Sequence, residues 1–302
     1  MTERGPDRLA DCRVAILGLG LMGGSLALAL AGRCKALLGI DPDPLARALA
    51  EQSCIVQLCA ADPGELLPQV DVVVLAAPVR AIIALINELP RLHPGGAVVL
   101  DLGSTKQEIA AALQALPARF EPIGGHPMCG KEYSTLVHAE AALYHGAPFA
   151  LIQLENTTDR ARQIALELVE AVGASPIWLD AATHDQLVAA TSHLPYLAAN
   201  ALAFTTPFEA AALTGPGFRS TARLAATSRR MMMDVLITNQ ENILSELRHY
   251  RQHLGRLEEV LALGDFAALE ELLGQGAYRY ETLLERLARN VERRDDDESP
   301  RN

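Results

Sequence analysis

The sequence predicts an α/β fold in which a doubly wound, mostly parallel sheet is followed by an all-α C-terminal domain. Three observations support this prediction. Short apolar runs alternate with helical segments as far as residue 180. A glycine-rich turn lies between the first apolar run and the first helical segment. Beyond residue 180 the apolar residues recur with helical spacing, and no convincing strand pattern follows.

The predicted strands are runs of apolar residues without polar alternation, which is typical of parallel strands buried on both faces. They lie at 13–18, 36–41, 71–78, 97–104, 148–153 and 175–179. Helical spacing of apolar residues is found between them, at 21–33, 43–53, 79–92, 104–116 and 159–173. The segment at 104–116 opens with Ser104 and Thr105, which predicts a side-chain N-cap for that helix. The alternation as a whole predicts βαβ units.

Composition and charge restrict the kinds of partner. The formal net charge is −11 and no cluster of lysine and arginine stands out, which disfavours nucleic acid and anionic membranes. The sequence has no run of about 18 apolar residues, and its polar N-terminus lacks the apolar core of a signal peptide. The five cysteines form no Cys-x-x-Cys pair and no zinc-like cluster with histidine, so we expect reduced thiols and no metal. These features predict a cytoplasmic protein.

The glycine-rich turn closes the first predicted strand. The stretch "GLGLMGGS" at 18–25 fits G-x-G-x-x-G through Gly18, Gly20 and Gly23. In this context the first glycine allows a tight turn, the second lets the backbone approach a pyrophosphate, and the third lets helix and strand pack closely. The start of the helix adds free N–H groups and a positive dipole end. The turn therefore predicts a Rossmann-type dinucleotide site, whose expected contacts are Gly18, Gly20, Leu21, Met22, Gly23, Asp41 and Pro78.

Asp41, at the end of the second predicted strand, indicates which dinucleotide binds. A carboxylate at this place can accept hydrogen bonds from both ribose hydroxyls of the adenosine half, and it would repel a 2′-phosphate. No arginine follows immediately, although Arg47 lies within the next helix. We therefore expect NAD rather than NADP. The alternative role of Asp41 is to cap that helix.

A single histidine is placed with unusual care in "IGGHPMCG" at 123–130. Gly124 and Gly125 permit unusual backbone angles before His126, and Pro127 fixes its own φ after it. The stretch follows what should be a further strand of the sheet, in addition to the six runs above, and it lies at the carboxyl end, where doubly wound folds bind their ligands. An imidazole held beside a nicotinamide is a suitable general base for an alcohol. We therefore predict that His126 is catalytic.

Five motifs, taken in order, resemble those of the prephenate and arogenate dehydrogenases, the oxidoreductases of tyrosine biosynthesis. They are "GLGLMGGSLA" at 18–27, "DLGSTK" at 101–106, "GGHPMCG" at 124–130, "THDQLVAATSHLPY" at 183–196 and "GFRSTARLA" at 217–225. The resemblance covers roughly residues 12–245. It implies an enzyme that oxidatively decarboxylates prephenate to 4-hydroxyphenylpyruvate with NAD.

The resemblance also implies a role for each matching residue. His126 is the catalytic histidine that bonds the ring hydroxyl of the substrate, and Ser104 helps to orient hydroxyl and imidazole. His193 reaches the substrate from the helical domain. Arg219 binds a substrate carboxylate, for which a planar guanidinium is well suited, and Arg223 supports it from one turn later.

Some assignments stay open at this point. His184 is either a structural partner of its neighbours or a direct substrate contact. The family often has E-K-S-G where this chain has "EYST" at 132–135, and many prephenate-specific members carry a tryptophan soon after the arginine motif. Here the single tryptophan is Trp178. Because both changes concern the substrate pocket, arogenate, or dual specificity as in a cyclohexadienyl dehydrogenase, remains the alternative to prephenate.

Two other functions are compatible with a dinucleotide site. A β-hydroxyacid dehydrogenase also carries "GLGLMG", but it requires a catalytic lysine in the helical domain, and the last lysine of this chain is Lys131. A non-catalytic NAD-binding redox sensor would not need Ser104, His126, His193 and Arg219 together. Both are therefore weaker predictions than the decarboxylating dehydrogenase.

The 302 residues are expected to form two domains and a tail. The dinucleotide-binding domain occupies 11–180, a helical substrate and dimerisation domain occupies 181–290, and the charged tail at 291–302 is expected to be disordered. One apolar helix face in the second domain is formed by Ile243, Leu247, Leu254, Leu257 and Leu261. Such a face packs either in a core or against a second subunit. We favour the subunit contact and therefore predict a homodimer.

Overall fold

A mostly parallel sheet organises the N-terminal part of the protein. The computed structural model describes residues 8–131 and 135–298, and within these ranges eight strands form the sheet. The strands are β1 (Arg13–Leu17), β2 (Ala36–Ile40), β3 (Leu58–Ala60), β4 (Val72–Leu75), β5 (Val98–Asp101), β6 (Glu121–Pro127), β7 (Pro148–Ile152) and β8 (Ser175–Leu179). Their order is β3-β2-β1-β4-β5-β6-β7-β8, in which β6 and β7 are antiparallel and the other neighbours are parallel. The predicted doubly wound sheet is confirmed.

Helices cover the sheet on both faces and bury its apolar strands. The helices of this part are α1 (Leu21–Leu30), α2 (Pro44–Gln52), α3 (Pro63–Leu66), α4 (Val79–Leu92), α5 (Gln107–Gln114) and α6 (Asp159–Ala171). On one face, α1 and α6 contribute Leu26 and Leu168 to an apolar layer that also contains Val14 of β1. On the other face, α4 and α5 contribute Ile82 and Leu113 to a second layer. Burial on both faces explains why the strands have no polar alternation.

The C-terminal part is helical, as predicted. It contains α7 (Ala181–Val188), α8 (Leu194–Thr205), α9 (Pro216–Ala222), α10 (Arg229–Thr238), α11 (Gln240–Leu263) and α12 (Phe266–Glu298). A π-helical turn, Ala189–His193, joins α7 to α8. By length and hydropathy the joined segment, Ala181–Thr205, passes the test for a membrane span, which core helices of soluble proteins also pass. The prediction that no membrane is involved stays a prediction.

Two carboxylates from the helical segment bind helix N-termini at the carboxyl edge of the sheet. Asp185 of α7 accepts hydrogen bonds from the backbone amides of Lys106 (2.7 Å) and Gln107 (2.9 Å), where α5 begins. Asp234 of α10 accepts one from the backbone amide of Arg80, in the first turn of α4 (3.3 Å). A helix N-terminus offers unpaired N–H groups and a positive dipole end, so both carboxylates lie where they stabilise most. These bonds attach α7 and α10 to the sheet.

Three elements differ from the sequence prediction. The short β3 and α3 were not predicted, because three and four residues are too few to show the apolar spacing of a strand or a helix. The prediction that Ser104 or Thr105 caps α5 was wrong. That helix begins only at Gln107, its N-cap residue makes no side-chain cap, and Asp185 supplies the cap instead.

The chain divides into two compact units, Met1–Ile243 and Leu244–Asn302. The first unit contains both the sheet and helices α7 to α10. The predicted boundary at residue 180 therefore marks the end of the strands, and its role as a domain boundary stays a prediction. In the second unit, Leu254 and Leu261 are exposed. Helix α12 is assigned as far as Glu298, and the expectation of a disordered tail at 291–302 stays a prediction. Residues 299–302 lie outside the described part.

Candidate active site

The glycine-rich turn has the geometry that a pyrophosphate requires. Gly18 has a φ of +102°, and a Cβ there would lie 2.4 Å from the carbonyl oxygen of Ala76. A Cβ at Gly23 would lie 1.8 Å from the carbonyl oxygen of Gly18. Only glycine fits at these two positions, because the first needs a left-handed backbone and the second brings helix α1 against the turn.

Two helix N-termini face the carboxyl edge at the point where the strand order reverses. Gly20 is the N-cap of α1 and has no side chain to cap with, so Leu21 and Met22 begin the helix with free backbone donors. Pro78 is the N-cap of α4, the helix that follows the neighbouring strand β4. Ligands of doubly wound folds bind in the crevice at this reversal point. The residues therefore fit a dinucleotide.

Asp41 is held rigidly beside the glycine-rich turn. Its Oδ2 accepts a hydrogen bond from the backbone amide of Leu19 at 2.6 Å, and its Oδ1 accepts one from Asp43 at 2.8 Å. The alternative role of Asp41 as a helix cap was wrong, because the N-cap of α2 is Asp43. Arg47 donates to the backbone carbonyls of Asp41 (2.7 Å) and Pro42 (3.0 Å), which fixes the same bend from the helix side.

His126 lies within a strand, and not after one. It is the second-last residue of β6, where Gly125 pairs with Leu151 and His126 pairs with Ala150 of the antiparallel β7. The expected unusual backbone angles at the preceding glycines are not needed there. Glycine is required at position 125 for another reason, since a Cβ would lie 2.7 Å from the carbonyl oxygen of Asp101.

A chain of hydrogen bonds runs from His126 into the protein. His126 Nδ1 lies 2.8 Å from His184 Nε2, and His184 Nδ1 lies 2.8 Å from Asp185 Oδ1. His184 and Asp185 are buried, with 1% and 0% of their surface exposed. The two imidazole rings meet edge to face, at an interplanar angle of 69°. Of the two roles left open for His184, the geometry therefore favours the structural partner.

A buried ion pair supports the backbone next to His126. The Lys106 ammonium contacts the Asp101 carboxylate and donates to the carbonyl oxygen of Gly125 at 2.6 Å. Asp101 Oδ1 accepts a hydrogen bond from the Gly125 amide at 3.2 Å. Both groups of Gly125 are thus held by charged side chains. Sequence reasoning missed Lys106 and Asp101, although both ends of the "DLGSTK" motif were already visible.

Protonation of His126 is disfavoured in this environment. Burial, together with the positive charges that His184, Lys106 and His193 can carry, holds the pKa of His126 well below the usual range of histidine. The imidazole is therefore neutral at pH 7 and able to accept a proton.

His193 joins the same buried cluster from the end of the π-turn. Its Nδ1 lies 3.2 Å from Asn239 Nδ2, which also donates to the backbone carbonyl of Asp185 at 2.7 Å. Burial, partly offset by the Asp185 carboxylate, lowers the pKa of His193 to about 4. Asn239 was not predicted, and no local pattern in the sequence pointed to it.

The remaining predicted residues are more exposed. Ser104 is half-buried on the loop between β5 and α5. Arg219 lies on α9 and Arg223 opens the next short helical turn, and both elements pack against α8, which begins directly after His193. Both arginines are exposed. Within the described part of the chain, no hydrogen bond or ion pair links Arg219 to His126, and no group of three metal-ligating side chains was found.

The glycine-rich turn and the half-buried His126 imidazole at the carboxyl edge of one sheet define a Rossmann-type oxidoreductase. The chain belongs to the prephenate dehydrogenase family. The nucleotide-binding domain of that family matches residues 25–178, and its dimerization domain matches residues 180–275.

Several relatives illustrate the range of the family. Prephenate dehydrogenase of Lactococcus lactis is 28% identical, over 87% of this chain and 75% of its own length. Prephenate dehydrogenase of Aquifex aeolicus, solved with hydroxyphenyl propionate and NAD⁺, is 26% identical with a TM-score of 0.80, over 91% of this chain and 97% of its own. Arogenate dehydrogenase of Synechocystis is 28% identical with a TM-score of 0.76, over 90% and 99% of the two chains.

The lowered pKa of His193 makes stability depend on pH. In the unfolded chain a histidine has a pKa of about 6.5, so the unfolded state binds a proton more readily than the folded state. The stabilising contribution is therefore complete above about pH 6.5 and is lost as the pH falls toward the folded pKa of about 4. We expect His193 alone to lower the free energy of unfolding by about 2 kcal/mol between pH 7 and pH 5.

Urea unfolding at several pH values tests this prediction. His193→Gln should be less sensitive to acid than wild type, because the substituted side chain does not titrate. His249→Gln, which changes an exposed histidine, should retain the wild-type dependence of the free energy of unfolding on pH. An equal loss of the free energy of unfolding between pH 7 and pH 5 in wild type and His193→Gln would contradict the prediction.

Proposed function

We propose that this chain catalyses the NAD-dependent oxidative decarboxylation of prephenate to 4-hydroxyphenylpyruvate in tyrosine biosynthesis. The observation that carries the proposal is the neutral His126 imidazole, held at the carboxyl edge of the sheet that also carries the dinucleotide turn. The purified protein should reduce NAD when prephenate is added, measured by the absorbance of NADH. Absence of NADH formation with both prephenate and arogenate would refute the proposal.

The chemistry needs a base and a carboxylate-binding group. Prephenate is a cyclohexadienol with a carboxylate on its ring. His126, whose Nδ1 is already bonded to His184, offers Nε2 to the substrate hydroxyl and accepts its proton. Bound NAD would supply the acceptor for the hydride of the carbinol carbon. The dienone that results is an electron sink, so carbon dioxide can leave and the ring becomes aromatic. The protein contributes alignment, proton acceptance and carboxylate binding.

We assign the other residues by their surroundings and by the family motifs. Ser104, on the loop after β5, orients the substrate hydroxyl with His126. His193 contacts the substrate from the helical segment, where its low pKa keeps it neutral. Arg219, supported by Arg223, binds the side-chain carboxylate of the substrate.

Arogenate is the second candidate substrate. The similarity to an arogenate dehydrogenase of Synechocystis, at 28% identity, favours testing it alongside prephenate. Arogenate has the same ring and differs in carrying an amino group on the side chain. The ratio of kcat/KM for the two substrates decides between them, and comparable values would indicate a cyclohexadienyl dehydrogenase of dual specificity.

We propose that the protein acts as a homodimer in the cytoplasm, without a nucleic-acid or membrane partner. The match of residues 180–275 to a dimerization domain supports the dimer. Exposed leucines on α11, such as Leu254 and Leu261, supply an apolar surface for it.

The base is tested by His126→Asn. Loss of a general base typically lowers turnover by about 100- to 10,000-fold. We expect a loss of kcat in this range, while the Kd of NAD measured by calorimetry stays near wild type, because His126 belongs to the substrate side of the site. His145→Asn, at an exposed histidine, serves as the control. Turnover of His126→Asn within a factor of two of wild type would exclude His126 as the base.

The cofactor preference is tested by Asp41→Ser. Removing this carboxylate should weaken NAD binding and narrow the preference for NAD over NADP, because the ribose acceptor and the repulsion of a 2′-phosphate are both lost. Asp43→Ser is the matched control, since serine also caps a helix and the neighbouring charge is removed without touching Asp41. An unchanged ratio of kcat/KM for the two cofactors in Asp41→Ser would count against the assignment.

The carboxylate contact is tested by Arg219→Lys and Arg219→Ala. Lysine cannot reproduce the guanidinium fork, so both variants should lose roughly 10- to 150-fold in kcat/KM. The loss should appear chiefly in KM, because the carboxylate is charged in ground and transition states alike. Arg223→Lys measures the supporting role, and Arg91→Lys on the exposed face of α4 is the control. A lowered Tm with wild-type KM would identify Arg219 as a structural residue.

A further inference from the structure

We propose that His184 and Asp185 are positioning residues that fix the tautomer of His126. Through the hydrogen-bond chain from Asp185 to His184 to His126, they keep the proton of the neutral imidazole on Nδ1 and leave the lone pair of Nε2 for the substrate. This inference deepens the proposed function and rests on it, because it assigns the atom that accepts the hydroxyl proton.

The donor and acceptor at each hydrogen bond between Asp185, His184 and His126 follow from the bond to Asp185. A carboxylate only accepts hydrogen bonds, so His184 Nδ1, 2.8 Å from Asp185 Oδ1, must carry a proton. In the proposed arrangement His184 carries no second ring proton, so its Nε2 accepts. The atom opposite it, His126 Nδ1 at 2.8 Å, must therefore donate. Neutral His126 has one ring proton, and that proton is on Nδ1.

Asp185 is able to serve as this fixed acceptor because it stays ionised. Burial raises the pKa of Asp185, but hydrogen bonds from His184 and from the backbone amides of Gln107 and Lys106 outweigh it, so the pKa lies below the usual range. The two amides belong to the start of α5, where the helix dipole also favours a negative charge. The acceptor is thus anchored on the sheet side, independently of the imidazoles.

The same series of hydrogen bonds also stabilises the positive charge that His126 acquires when it accepts a proton. When the substrate hydroxyl proton moves to Nε2, the ring becomes an imidazolium whose Nδ1–H still donates to His184. His184 in turn donates to the carboxylate of Asp185, so the new positive charge is connected to a buried negative one. The Lys106 ammonium opposes that charge, but it is itself paired with the Asp101 carboxylate. The carboxylate therefore provides the counter-charge within the buried cluster, as an orienting acid does for a catalytic histidine elsewhere.

A purely structural role for His184 makes a different prediction. In that case the imidazole would only fill space and join α7 to β6, so replacing it would lower stability without changing the chemistry of the folded fraction. Positioning predicts a loss of kcat with KM and the Kd of NAD preserved, because ground-state contacts to both ligands remain.

Two substitutions separate the parts of the proposal. In His184→Gln, the side-chain carbonyl can still accept from His126 Nδ1, but the connection to Asp185 is broken. In His184→Leu, both are lost. We expect kcat to fall roughly 10-fold for the first and roughly 100-fold or more for the second. His93→Gln is the matched control, because His93 is also buried and bonded to backbone through both ring nitrogens, and its loss should lower Tm alone.

The tautomer itself is measured by ¹⁵N NMR of protein labelled at histidine, with His126→Asn used to assign the ring. At pH 7 the wild-type protein should show a protonated Nδ1 and an unprotonated Nε2 at His126, and His184→Leu should lose this preference. A wild-type His126 protonated on Nε2, or a folded His184→Leu variant with kcat within a factor of two of wild type, would overturn the proposal. A wild-type protein inactive on both substrates would refute the proposed function instead, and the NMR result would still decide the tautomer.

Discussion

The carboxylate of Asp185 is the interaction on which the rest of the site depends. It is completely buried, and a buried carboxylate is tolerated only when its oxygens accept several hydrogen bonds. Asp185 receives them from the start of α5 and from His184, while Asn239 donates to its backbone carbonyl. One residue of the helical segment therefore caps helix α5 and orders the imidazoles at the carboxyl edge of the sheet that also carries the glycine-rich turn.

Lys106 links this carboxylate to a second buried charge. Its backbone amide donates to Asp185, and its ammonium binds Asp101 and the carbonyl oxygen of Gly125. A buried ion pair contributes little net stability once the cost of removing both charges from water is included. Its evident effect is geometric, because it holds the backbone immediately before His126. Two fixed carboxylates thus set the position of His126. Asp101 acts on the strand that carries it, and Asp185 acts on its ring through His184.

The parts of this arrangement that the sequence predicts are the local ones. Apolar runs locate the strands, and the spacing of Gly18, Gly20 and Gly23 locates the turn, because each pattern reports a constraint within a few residues. The cap of α5 could not be predicted in the same way. Ser104 had the right chemistry at the right place, but the groups that need capping lie two residues further on, and the acid that binds them is far away in the chain.

The same reasoning applies to the histidines. His184 and His193 belong to one motif, for which the family resemblance implies a substrate contact at His193 and leaves His184 open between a structural and a substrate-binding role. What separates them is three-dimensional: the first is bonded at both ring nitrogens, which leaves it nothing to offer a ligand, whereas the bond recorded for the second involves only Nδ1. The motif "GFRSTARLA" likewise does not predict that Arg219 is exposed. Helical spacing alone does not say which face of a short helix packs against the rest of the protein.

The π-turn helps to explain how His184 and His193, nine positions apart, belong to one hydrogen-bonded cluster. In a regular α-helix, nine positions correspond to about two and a half turns, so His193 would face away from His184. The turn at Ala189–His193 is wider, and the residues after it lag behind the α-helical phase. His193 consequently meets Asn239, the residue that also bonds the carbonyl of Asp185. A π-turn costs favourable helix geometry, and here the change of phase accompanies the placement of His193 in the cluster that contains His126, His184 and Asp185.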